Sequence, residues 1–236
     1  MFQILFLCIF IFILLTGCAN NTLKNKDSTQ YDKASVSQFA KSDFDRMADY
    51  EIRENIESLK ILMVKFYKKN PKELRKTSSD NAEIVTDWVF NGKHDWRFKS
   101  INLAQGTDAL NQTFDESFEG DRVLSLITGL YTMIKQAHGN KTEFFIFDSL
   151  NAQSIYNSAR NIEVVLWKLS TKRNISGELF LLSNAIYEKK TNLSFEREFG
   201  KIIGRIDYFA YTLSEKSERG ITRALQSIAA GIFLPF

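Results

Sequence analysis

At 236 residues, with 44% apolar and 13% aromatic content, the chain has enough hydrophobic mass for one domain with a real core, which excludes the disordered class. Lys and Arg total 31 against 28 Asp and Glu, a net charge of +3 without a long like-charge block, so nothing in the charge demands a nucleic-acid partner. Two prolines and 11 glycines are too few for an architecture of strands and tight turns.

Residues 2–15 (FQILFLCIFIFILL) are uncharged and almost wholly apolar. The run is short of the roughly 20 residues that span a bilayer, and a polar stretch follows it, as in the hydrophobic region of an export signal. Leu15, Thr16, Gly17 and Cys18 close it. They resemble the lipobox of bacterial lipoproteins, although the usual preceding Lys or Arg is missing. The resemblance implies cleavage before Cys18, a diacylglyceryl group on its thiol and an N-acyl chain on its new amino group. Ala19 and Asn20 follow in place of an Asp, which by the enteric pattern implies sorting to the outer membrane. The other reading is a short uncleaved apolar helix with an incidental cysteine. Cys8 would leave with the signal, so the domain is expected to hold no disulfide.

The sequence therefore divides into a signal (1–17), a lipidated cysteine with a polar tether (18–42) and one helical domain (43–236). From residue 43, Met47, Tyr50, Ile56, Leu59, Met63, Phe66 and Tyr67 recur at helical spacing, with Ser42 or Asp43 as the cap. Pro71 ends this helix near Lys69 and allows a short restart. Residues 80–90 predict a helix with Ile84, Val85, Trp88 and Val89 inward, closed by Asn91 and Gly92. Residues 93–120 show no sustained period and read as irregular, with short helical turns.

Residues 121–138 predict a helix with Asp121 at its positive end and a stripe of Val123, Leu124, Ile127, Leu130, Tyr131 and Ile134. The apolar run 144–147 fits a lone strand or a buried connector. A helix to about Thr171 follows, packed through Ile155, Ala159, Ile162, Val165, Leu166 and Leu169. Residues 179–187 fit a small hairpin or a helical turn. Ser194 caps a helix whose apolar face runs from Phe195 to Leu213, and a last amphipathic helix is expected over 218–233. The class is all-α: an irregular bundle of five or six amphipathic helices with one short strand or hairpin.

Sites are sparse. His138 sits in a last helical turn, where a cation is favoured, and His94 has only Asp95 nearby, so no metal ligand set is expected. The acids Asp115, Glu116, Glu119 and Asp121 read as a solvated turn before a helix. No nucleophile motif, phosphate loop or dinucleotide fingerprint is present, and no cofactor is expected. Gly200 and Gly204, one turn apart inside a helix, predict a close helix crossing that offsets their cost. The apolar stretch 228–236 (IAAGIFLPF) fits either a core plug or an exposed patch for a partner or lipid.

The stretches FEGDRVLSLITGLYTMIKQAHGNKTEFF (118–145), YNSARNIEVVLWKLS (156–170) and NLSFEREFGKIIGRID (192–207) resemble an uncharacterised family of proteobacterial lipoproteins, over most of the chain from about Ile56. That resemblance implies an address and no mechanism. The sequence thus points first to a non-enzymatic lipid-anchored protein that binds an envelope partner or helps organise the outer membrane from its periplasmic side. A periplasmic carrier or sensor of a small apolar molecule comes second, and an enzyme acting on cell wall or lipid third.

Overall fold

A computed structural model of the chain describes residues 42–145, 150–187, 190–217 and 231–236, with the backbone alone for 185–191. The lipobox, the tether and the expected helix over 218–233 lie outside the described residues, apart from the last three positions of that helix. Among the described residues the architecture is all-α, with seven α-helices and one two-stranded hairpin.

Helix α1 (Asp43–Lys69) starts where the sequence places it. The Ser42 hydroxyl accepts from the Asp45 N–H at 3.2 Å, and the Asp45 carboxylate accepts from the Ser42 N–H at 2.8 Å, so two orphan donors are satisfied reciprocally. It stops at Asn70, which is driven out of helical geometry by Pro71, the first residue of α2 (Pro71–Thr77). Asn70 then clamps a distant loop. Its amide donates to the Leu182 carbonyl at 2.9 Å and accepts from the Leu182 N–H at 2.8 Å.

Helix α3 (Ala82–Asn91) is capped by the Asn81 side chain and lies along α1. Val85 and Val89 are buried, but Ile84 and Trp88 are half exposed, which corrects the expected inward face; Tyr50 of α1 is likewise turned out. A ten-residue helix packed chiefly on α1, with Phe90 edge-on to Tyr131 of the helix at 122–137, buries a narrower stripe than its composition suggests.

The segment with no readable period holds a 3-10 turn (Lys99–Ile101) and a helix, α4 (Gly106–Thr113). Helix α5 (Arg122–Ala137) is the centre of the fold and packs against α1, α2, α4 and α6. It is buried nearly all round, and two of its polar side chains find carbonyls, while the enclosed Thr128 hydroxyl is left without a partner among the described residues. Ser125 donates to the Ala109 carbonyl at 2.9 Å, and the Thr132 hydroxyl donates to that of Thr128 at 2.6 Å.

Helix α6 (Ala152–Thr171), capped by Asn151, packs against α5 and α7. Of the apolar run 144–147, only Phe144 and Phe145 are described; they adopt no regular structure, and Phe144 is buried. The hairpin pairs β1 (Ala185–Tyr187) with β2 (Lys190–Asn192) in antiparallel register, Ile186 opposite Thr191. Helix α7 (Ser194–Ser217) closes the bundle on α1 and α6 through Phe195, Phe199, Ile202, Ile206, Phe209 and Leu213, the face read from the sequence.

The expected crossing at Gly200 and Gly204 is not found among the described residues. Both glycines are exposed, and a methyl group added to either would meet nothing within 4 Å. The close approach lies at Gly129 of α5, where such a methyl would fall 2.7 Å from Leu110 Cδ2 and 2.9 Å from the Gly106 carbonyl oxygen. Helix α4 owes its intimate seat on α5 to that missing side chain.

Candidate functional site

The polar groups of the interior are the first place to look for chemistry, because a buried charge is costly unless it is paired. His138 caps the C-terminal end of α5 and is 0% exposed. Its Nδ1 lies 2.8 Å from the Ile134 carbonyl oxygen, and its Nε2 lies 2.9 Å from Glu51 Oε2, an ion-pair distance without hydrogen-bond alignment. Its ring stacks on Phe209 at 5.6 Å between centroids. Burial works against the imidazolium, but the Glu51 carboxylate and the Ile134 carbonyl outweigh it and hold the His138 pKa above the ordinary histidine value.

The pair continues into a network. Asn55 donates to the other oxygen of Glu51, and Arg205 of α7 donates to Asn55 Oδ1 at 3.3 Å, to the Ser58 hydroxyl at 3.0 Å and to the Glu54 carbonyl at 3.2 Å. Three helices, α1, α5 and α7, are thereby tied through their polar side chains. The sequence reading placed His138 at a helix end but missed Glu51. A signal was there: Glu51, Asn55 and Ser58 follow one another at steps of four and three on the buried face of α1.

The acidic run does not converge. Asp115 accepts from the Ser117 N–H and hydroxyl, and Glu116 accepts from the Ile175 N–H. Asp121 is not a solvated turn residue as the sequence suggested, being only 1% exposed. It caps α5 through the N–H groups of Val123 and Leu124, and it accepts from Tyr67 at 2.7 Å and Thr77 at 2.6 Å. Burial outweighs these donors and raises its pKa to about 6. The Tyr67 hydroxyl is pushed well up by its own burial and by the neighbouring carboxylate. A third junction joins α6 to α7, where Arg160 meets Asp207 at 2.5 Å and Glu163 at 3.3 Å.

His94 stitches an irregular loop. Its Nδ1 accepts from the Trp96 N–H at 3.1 Å, its Nε2 lies 3.3 Å from the Trp88 carbonyl oxygen, and its ring packs on Phe98 at 4.3 Å. The same loop holds two pairs of residues in left-handed backbone, Asp95–Trp96 and Asn102–Leu103. Trp96 stacks on Tyr131 at 3.7 Å, beside an open polar cleft of about 440 Å³ lined by Asp95, Arg97, Gln105, Lys135 and Gln136. By contrast, the apolar cleft between α1 and α5, lined by Ile52, Leu59 and Ile134, encloses about 10 Å³, barely the space of one water.

The other built surface lies along α6. The Asn161 amide donates to the Leu234 carbonyl at 2.8 Å and accepts from the Leu234 N–H at 2.6 Å, while Asn157 donates to the Pro235 carbonyl at 2.7 Å. Residues 231–236 lie against the bundle there, with Phe233 and Phe236 packed on the core and Ile232 exposed. The described part of the apolar segment 228–236 therefore behaves as the plug, with Ile232 and Pro235 turned outward.

No group of three or more His, Cys, Asp or Glu poised for a metal occurs among the described residues, and no helix among them is long and apolar enough to cross a membrane. No family model, curated protein or solved structure matches the chain.

Proposed function

We propose that the chain is a lipid-anchored protein of the bacterial envelope, held to the outer membrane by diacylglyceryl and N-acyl lipid on Cys18, whose helical domain binds another envelope protein and is not an enzyme. The observation that carries the reading is the Leu15-Thr16-Gly17-Cys18 sequence closing an uncharged apolar run and opening a polar tether. Two or three acyl chains give durable attachment, at about 0.8 kcal/mol per buried methylene. Interaction is favoured over catalysis because the titratable groups inside the described domain are engaged in holding helices together: His138 with Glu51, Asp121 with Tyr67 and Thr77, Arg160 with Asp207. The carrier reading has less behind it: the apolar cleft between α1 and α5 is too small for any ligand, and the roomier apolar cleft of about 280 Å³, lined by Ile84, Val85 and Trp88, lies open rather than enclosed.

Crosslinked pull-down from intact envelopes, comparing the wild type with Cys18→Ser, tests the reading. Specific partners captured by the wild type and lost from the variant are expected. An unchanged partner set would contradict a tether-dependent role.

A further inference from the structure

We propose that the polar trough beside Trp96 and Tyr131 binds a neutral oligosaccharide. The inference goes beyond the reading of the domain as an anchored interaction module and holds with or without lipid at Cys18.

Two open lobes make the trough. The cleft of about 440 Å³ shares Gln105 and Gln136 with a second cleft of about 640 Å³, whose wall includes Leu103, Thr107, Asp108 and Phe236. Each lobe has the size of a small-molecule site, and the two joined suit a chain of several units.

The chemistry of the walls selects the ligand. Their charged side chains are Asp95 and Asp108 against Arg97 and Lys135, two of each sign, so the trough as a whole favours neither an anion nor a cation. Carboxamides dominate the rest: Asn102, Gln105, Gln112, Gln136 and Asn140. A carboxamide donates and accepts at once, as a sugar hydroxyl does, and its two ends can meet neighbouring hydroxyls as a pair. Leu103 and Phe236 stand in the same wall and offer apolar cover for the C–H face of a sugar ring. A neutral peptide is recognised through a strand edge or a row of apolar seats, whereas this trough is built from helices and turns and lined by amides.

The walls are also held ready. Gln105 donates to the carbonyls of Asp95 and Trp96 at 3.2 Å each, which pins its amide. The side chains of Gln136 and Asn140 make no hydrogen bond to another described residue. Every non-glycine in left-handed backbone among the described residues, namely Asp95, Trp96, Asn102, Leu103 and Asn140, lines one lobe or the other. Asp and Asn tolerate that conformation, but Trp96 and Leu103 are strained by it. Burial of Trp96 against Tyr131 offsets its share. Leu103 is half exposed, so packing in the free protein does little to offset its strain, and a sugar ring laid on it supplies the missing contact.

The full chain is titrated in lauryldimethylamine oxide, a detergent without a sugar head group, and binding is read by saturation-transfer difference NMR. The probes are chitotetraose, maltotetraose, tetragalacturonate and the blocked peptide N-acetyl-tetraalanine amide. Saturable binding of at least one of the two neutral tetrasaccharides is expected. The variant Gln136→Ala with Asn140→Gly keeps the left-handed backbone at 140 and breaks no side-chain bond among the described residues. Its affinity should fall by about tenfold or more, as for the loss of two hydrogen bonds. Silence from both neutral sugars overturns the proposal, as does undiminished binding by a variant with the wild-type melting temperature. Preference for tetragalacturonate overturns it too, since Arg97 and Lys135 then read the ligand, and so does preference for the peptide. Should the variant fail to fold, Leu103→Gly decides. Weaker sugar binding at a raised melting temperature supports the site, and undiminished binding overturns it.

Discussion

His138 and Glu51 face one another across the interior at 2.9 Å, one from the end of α5 and the other from the first half of α1. Because the folded pKa of His138 is raised, the pair contributes stability that is fully present below the unfolded value of about 6.5 and is lost as pH rises through the folded value. Urea midpoints are therefore expected to fall between pH 6 and pH 9, and Glu51→Gln should flatten that part of the profile. Glu51→Ala, which strands a buried imidazole, should cost about 3 kcal/mol or more. A midpoint independent of pH in the wild type would contradict the assignment.

Asp121 acts in a neighbouring window with the same sign. A carboxyl whose pKa is about 6 when folded and 3.8 in its ordinary state binds more protons folded than unfolded between those values. Its ionisation therefore removes stability as pH rises from about 4 to 6, at roughly 1.4 kcal/mol for each unit of pKa difference. Asp121→Asn keeps a cap on α5 and should abolish this slope. Asp121→Ala loses the cap as well and should cost about 2 kcal/mol at pH 7. Denaturation at pH 4 and pH 7 reads both.

The glycines separate by sign. Gly129→Ala drives a methyl into Leu110 and the Gly106 carbonyl and is expected to destabilise by about 1–3 kcal/mol. Gly200→Ala and Gly204→Ala meet open space in a helix and should each stabilise by about 0.5–1 kcal/mol. Thermal melting of the three single variants checks this, and a loss of stability in either α7 variant would reveal a contact made by residues outside the described set.

Strain in the irregular loop is testable in the same way. Leu103 holds a left-handed backbone conformation, which costs a branched L-residue roughly 1–2 kcal/mol, and its side chain is half exposed. Leu103→Gly should therefore raise the melting temperature by a few degrees. If it lowers it, the side chain is a needed contact and the strain is offset locally.

These relationships show what the sequence made legible. Helix α1 was legible at both ends, though with the cap open between Ser42 and Asp43, because the Ser42–Asp45 capping box spans only three residues and Pro71 acts on its immediate neighbour. The apolar face of α7 was equally plain. Helix α4 was not, since eight residues starting at a glycine hold too little period to distinguish from a loop, and its seat depends on Gly129, well downstream. Gly200 and Gly204 misled because cost alone does not say which glycine a neighbour needs. The pairing of Glu51 with His138 and of Asn161 with Leu234 joins residues far apart in the chain, which no local pattern encodes. Whether the apolar C-terminal segment packs inward was likewise decided, for residues 231–236, by α6, through two asparagines that look like ordinary polar positions on a helix.

The central claim is that Cys18 carries lipid. Mass spectrometry of the amino-terminal peptide from the protein expressed in a lipoprotein-processing bacterium tests it directly. The expected species begins at Cys18 and carries a thioether-linked diacylglyceryl group and an amide-linked acyl chain. A peptide that runs unbroken from Gly17 into Cys18, or a cysteine with a free thiol, would contradict it.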